Sequence, residues 1–137
     1  MIQELKNTFD RVYLTIEVDD KNKWVHVNWM GYLTEENIKT GGTAYIDALK
    51  KADYQCVLND TRMIVGGWNH SLDWVVNEWA PYAASSGLEY FAMISNPESF
   101  GGSSASKFYE DLKAFQAQVF NEKRTAEEWL RQFSLRK

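Results

Sequence analysis

Residues 54–59, Tyr-Gln-Cys-Val-Leu-Asn, constrain this chain more than any other segment. A strand that is apolar almost throughout has to be covered on both faces, which places it in the middle of a sheet. It ends in Asn59-Asp60-Thr61-Arg62, and a Gly66-Gly67-Trp68-Asn69-His70-Ser71 loop follows. Behind the loop, Leu72, Val75, Val76, Trp79 and Ala83 recur at helical spacing, and Gly87 is placed to stop the helix. Pro81 should bend that helix or end its regular part. In α/β proteins, ligands gather where a strand hands polar residues to a loop with a helix N-terminus behind it. Function is therefore sought between Tyr54 and Ser86.

The remaining segments supply the partners for that strand. Val12, Leu14, Ile16 and Val18 alternate with polar residues, Asp19-Asp20-Lys21-Asn22 supplies a turn, and Val25, Val27 and Trp29 alternate again. Residues 11–30 thus read as a β-hairpin with one apolar face, part of a sheet covered on one side at this end. Thr34 is an N-cap, with Glu35 and Glu36 in the first turn of a helix running to about Lys51. Its buried stripe is Ile38, Tyr45, Ile46 and Leu49. Gly42 falls on that stripe and Gly41 beside it, which predicts close packing of helix on sheet. A phosphate loop is not indicated, because no Lys-Ser or Lys-Thr follows. Leu88–Ser95 reads as a second buried strand, and Asn96–Gly102 as a loop. Ser103 or Ser104 caps a helix carrying Phe108, Leu112 and Phe115. Gln118–Phe120 is a short edge strand, and Thr125-Ala126-Glu127-Glu128 is a capping box opening the last helix. The order is β-β-α-β-α-β-α-β-α over a single domain, residues 1–137. It implies an α/β fold with a mixed sheet whose later strands run parallel through right-handed crossovers. The loops after residues 60 and 95 then leave the same, carboxyl edge.

Composition narrows the functional classes. A net charge of −4 argues against a nucleic-acid binder, which normally carries a basic stripe. No stretch approaches the roughly 20 apolar residues of a membrane span. Residues 1–6 lack an apolar signal core, so a cytoplasmic protein is expected. The single cysteine, Cys56, excludes an intrachain disulfide and reads as a small buried hydrophobe. Aromatics make up 15% of the chain with six Trp, dense enough to place several near the surface or at contacts.

Asp60, Arg62, His70 and Ser71 invite a hydrolase reading, which their arrangement does not favour. A serine nucleophile needs a base within hydrogen-bond reach, an orienting carboxylate and an oxyanion hole. His70 and Ser71 are neighbours entering a helix, where adjacent side chains diverge, and no Gly-x-Ser-x-Gly elbow is present. Two histidines and one apolar-flanked cysteine make no metal set, and no cofactor is indicated. His26 reads as a surface residue on the polar face of the hairpin. Asn69 is the expected N-cap of the following helix, with Ser71 the alternative. The rival reading is anion capture at that helix start, helped by Arg62. Asp60 is explained by an Asx turn. Trp68 either staples inward or anchors a contact. Trp74 falls opposite Leu72, Val76, Trp79 and Ala83 at about 3.6 residues per turn, so it either faces outward, where exposed Trp marks contact surfaces, or packs on the C-terminal or a neighbouring helix.

The segments Trp24–Gly31, Val57–Arg62, Trp68–Trp79, Gly87–Ala92 and Thr125–Phe133, with the alternating β-α order, resemble the STAS domain. The resemblance is closest to its SpoIIAA-like (STAS/SEC14-like) bacterial branch and covers nearly the whole chain. It implies helices mainly on one face of the sheet and a role in binding rather than catalysis. In the anti-sigma-factor antagonists of this family, a serine in an Asp-Ser pair after the central strand accepts phosphate. The matching region here reads Trp68-Asn69-His70-Ser71, so Ser71 is the nearest phosphoacceptor candidate although the Asp-Ser pair is missing. The SEC14 relatives hold lipids in an apolar cavity.

These observations lead to a non-enzymatic regulatory domain that engages a protein partner or small ligand through residues 59–74. Asp60 and Arg62 would make charged contacts, Asn69, His70 and Ser71 would line the helix start, and Trp68 and Trp74 would be apolar anchors. A small-molecule or lipid carrier of SEC14-like type is the alternative, a hydrolase is a remote one, and a homodimer fits the aromatic surplus.

Overall fold

A computed structural model describes residues 2–135 of the chain. One six-stranded sheet organises it: β1 (Ile2–Lys6), β2 (Val12–Asp19), β3 (Trp24–Gly31), β4 (Cys56–Ile64), β5 (Tyr90–Ile94) and β6 (Gln116–Phe120) lie side by side in chain order. The first two pairings are antiparallel, and β3-β4, β4-β5 and β5-β6 are parallel. The mixed α/β sheet matches the expected architecture, and β4 is central. β1, paired antiparallel with β2, adds one strand ahead of the expected order. In β1 the apolar residues Ile2 and Leu5 are three apart and only Leu5 is half-buried, so an exposed edge strand carries no period-two signal.

The principal core lies on one face, under α1 (Glu35–Ala52), the helical run over 69–85 and α4 (Phe100–Asp111). Thr34 caps α1 as expected and makes a reciprocal capping box with Asn37. Ile38, Tyr45, Ile46 and Leu49 are its buried stripe, with Gly41 and Gly42 pressed on the core. A Cβ on Gly41 would lie 2.6 Å from the Trp29 ring, so the helix sits closer to the sheet than alanine permits. Among the described residues α5 (Lys123–Ser134) alone covers the other face, burying Ala126 and Leu130 against Leu58, Ala92 and Ile94. Cys56 is buried there, and burial pushes its thiol up to about 12. Among the described residues no helix is long and apolar enough to cross a membrane.

Several boundaries differ from the expected ones for identifiable reasons. α4 begins at Phe100, not after Ser103 or Ser104, because the Ser99 hydroxyl accepts from the Gly102 N–H and caps it. The Gly101-Gly102 pair is therefore helix rather than loop. α5 begins at Lys123, and Thr125 donates to the Glu122 carbonyl from inside the first turn instead of forming a capping box. β4 runs to Ile64, past Asn59, and β3 and β4 lose register there. Asn28 faces Asp60 but Met30 faces Met63, so β4 carries one extra residue at Thr61–Arg62.

Candidate functional site

The parallel strands β3 to β6 all end on one edge. Because Leu14 pairs with Trp29 near the end of β3, the turn at residues 7–11 before β2 lies on that edge too. The Asn7 carboxamide oxygen accepts from the Phe9 and Arg11 N–H groups and holds this turn. The loops after β3, β4 and β5 converge there. Val65 N–H donates to Gly31 C=O, the Tyr32 ring lies over Gly66, and Phe100 lies against Gly67.

Strand alternation sorts residues 59–61 of β4 by face. Asp60 points to the α5 side, and its carboxylate accepts from Arg62 Nε at 3.0 Å and Arg62 Nη2 at 2.7 Å. It also accepts from the Arg62 backbone N–H, the expected Asx-type turn, although in mid-strand rather than at the strand's end. Burial opposes ionisation of Asp60, but these bonds prevail and hold its pKa below the usual carboxylate range. Asn59 and Thr61 point to the helix side, where Thr61 donates to Ile94 C=O.

The helix start is built differently from the expected cap. Asn69 opens a 3-10 turn, Asn69–Ser71, and caps nothing; its carboxamide oxygen accepts from Ser104 Oγ at 2.7 Å. Ser104 in turn accepts from the Trp68 N–H, so α4 clamps the loop through one buried hydroxyl. Sequence reasoning gave Ser104 only a capping role, since its partner lies 36 residues away. His70 and Ser71 do not diverge: the His70 ring turns back along the chain and its Nδ1 lies 2.8 Å from Ser71 Oγ. Ser71 is fully buried, which suits neither a free cap nor a phosphoacceptor. No carboxylate pairs with His70 among the described residues, and none of their His, Cys, Asp and Glu side chains form a group of three or more that could hold a metal.

The next turn, Val75–Trp79, is a π-helix between α2 (Leu72–Trp74) and α3 (Ala80–Ser85). Pro81 has no N–H and its ring crowds the carbonyl four residues back, so the turn ahead of it widens. That extra residue rotates the wheel. Val75, Trp79, Ala80 and Ala83 are buried, while Leu72 and Val76 are only half-buried. Trp74 does not face outward but is half-buried, with Lys39 Nζ 6.0 Å from its ring centroid. Trp68 is buried against Phe108 and cannot be a surface anchor. None of the six tryptophans is exposed; the exposed aromatics are Phe9, Tyr32, Phe100 and Tyr109.

Between β4 and the helical run four of these tryptophans line a cavity of about 40 Å³. Its walls include Trp29, Trp68, Trp74 and Trp79, with Asn59 and Thr61 at the strand. Trp79 Nε1 donates to Gly42 C=O, but Trp68 Nε1 and Asn59 Oδ1 are buried without a hydrogen-bond partner among the described residues.

On the α5 face a second polar group surrounds His26. Its Nδ1 lies 3.6 Å from Glu17, and Asp19, Asp60 and Lys123 also act on it. Burial, then Lys123, lowers its pKa from 6.5 against the opposing carboxylates Glu17 and Asp60. The fold therefore favours neutral His26. Its contribution is complete above 6.5, the unfolded value, and is lost as pH falls through the lower folded value. Urea midpoints are expected to drop between pH 7 and pH 5, and His26→Gln should flatten that window. An unchanged slope in the variant would assign the loss to other groups.

No family model matches the chain, and no curated protein matches it. Solved structures do. One is an uncharacterized protein from the DUF3478 family with a SpoIIAA-like fold from Shewanella loihica, 18% identical, with a TM-score of 0.55 over 85% of this chain and 91% of that one. Another is an anti-sigma factor antagonist from Mycobacterium paratuberculosis, 11% identical, with a TM-score of 0.58 over 93% of this chain and 99% of that one. The chain has the SpoIIAA-like fold.

Proposed function

We propose that this chain is a non-enzymatic regulatory domain that recognises a protein partner across the carboxyl edge of its sheet. The observation that carries the reading is the apolar character of that edge. Phe9, Tyr32, Met63, Val65 and Phe100, 81%, 77%, 61%, 46% and 79% exposed, sit on the turn, the end of β4, the loops and the start of α4 that converge there. Large apolar side chains gathered on one surface mark an interaction site. Arg62, Asn69 and His70 are exposed beside them and supply the polar rim that interfaces place around such a centre. Asp60 acts from beneath by fixing the Arg62 fork. The similarity to an anti-sigma factor antagonist supports a regulatory role for the fold.

The test is capture from a host extract with wild-type protein beside Tyr32→Asp and Phe100→Asp. Both side chains are mostly in solvent, so thermal midpoints should stay within about 2 °C of wild type, as for ordinary surface changes. Any specifically captured protein should be depleted at least tenfold in both variants. Undiminished capture by both would move the interface elsewhere. Light scattering on the same proteins distinguishes a second copy of the chain as the occupant.

A further inference from the structure

We infer that the cavity between β4 and the 69–85 helical run takes the hydroxyl end of a neutral straight-chain aliphatic alcohol, whose apolar chain runs out past the half-buried wall residues. The inference goes beyond the partner reading and rests on different atoms. Asn59 and Trp68 are 4% and 6% exposed, both line the cavity, and Asn59 Oδ1 and Trp68 Nε1 have no partner among the described residues. Buried polar groups are almost always satisfied, and two unsatisfied ones on the walls of one cavity need an explanation.

Their chemistry specifies the ligand. Asn59 Oδ1 lacks a donor and the Trp68 indole N–H lacks an acceptor, and a hydroxyl carries both complements in one group. A ketone or halide can meet only the indole, and a hydrocarbon meets neither. No charged side chain lines the cavity, so a carboxylate would be buried without a counter-charge. The aromatic and aliphatic walls reward an apolar body over water, which could also bridge the polar atoms. Leu33, Ile64 and Trp74 are the half-buried wall residues, and a chain longer than the cavity would leave past them.

Three probes of similar size test this: 1-pentanol, 1-chlorobutane and pentanoate at pH 7. Indole N–H resonances report it, with the Trp79 indole, already bonded to Gly42, as an internal reference. The alcohol should shift the Trp68 resonance saturably, bind at least tenfold more tightly than 1-chlorobutane, and leave pentanoate without effect. Asn59→Leu should cut the alcohol preference below about threefold, at most ~0.7 kcal/mol. If that variant fails to fold, Trp68→Phe removes the donor alone, and the Trp74 resonance reads the same comparison. The proposal is overturned if no probe gives a saturable shift, leaving water as the occupant. It is equally overturned if alcohol and chloride bind alike, or if the preference survives removal of either polar group.

Discussion

Trp79→Ala is expected to destabilise the fold by about 4 kcal/mol, read as a lower urea midpoint at unchanged slope. Trp79 is 3% exposed and joins three elements. Its ring meets Tyr45 on α1, Phe91 on β5, Phe108 on α4 and Phe115 before β6, at centroid distances of 5.7–6.5 Å. Truncation opens a cavity among side chains already fixed by one another, and it strips the Gly42 carbonyl of its donor. Trp79→Phe separates the two causes, since it keeps most of the packing and loses mainly the hydrogen bond, a change of about 1 kcal/mol plus a smaller packing loss. Equal losses in the two variants would show that the ring's contacts do not carry the core.

Gly102→Ala should cost about 3 kcal/mol, the upper end of overpacking penalties. A Cβ there would stand 2.0 Å from the Asn96 carbonyl oxygen, and the obstacle is backbone that cannot rotate away. Gly101→Ala is the contrast. Its Cβ would meet nothing nearer than 3.5 Å, and alanine is favoured over glycine in a helix by up to about 1 kcal/mol. Thermal unfolding of the pair should therefore move in opposite directions. A Gly102→Ala protein as stable as wild type would mean that the β5–α4 connection yields more easily than its packing indicates.

What was legible in the sequence was whatever a single element decides by itself. α1 is an example: its cap, its acidic first turn and its Ile38-to-Leu49 stripe are all local, and all are present. The central place of β4 likewise follows from its own apolar run. Misreadings arose where a distant or irregular feature intervened. One extra residue in the π-turn before Pro81 was enough to turn Trp74 from the outward face of a regular helix toward the cavity. Ser99 outcompeted Ser103 and Ser104 as cap because Gly102 can press against Asn96, a contact no spacing rule reveals. The segment 59–74 was located correctly as the meeting of strand end and helix start. Within it, strand alternation sends Asn59 inward to the cavity and Asp60 to the opposite face, ahead of the bulge at Thr61–Arg62, whose extra residue no spacing rule reveals. The apolar edge was hidden for the same reason, since Phe9, Tyr32 and Phe100 lie far apart in the chain and meet only through the strand order.

Amide hydrogen exchange on the protein with its captured partner tests the docking claim most directly. Protection is predicted at residues 31–33, 63–69 and 99–102 and in the 7–11 turn, with α5 and its face of the sheet unchanged. Protection concentrated on α5, or on the Glu17–His26 face, with the carboxyl edge still exchanging freely, would contradict it.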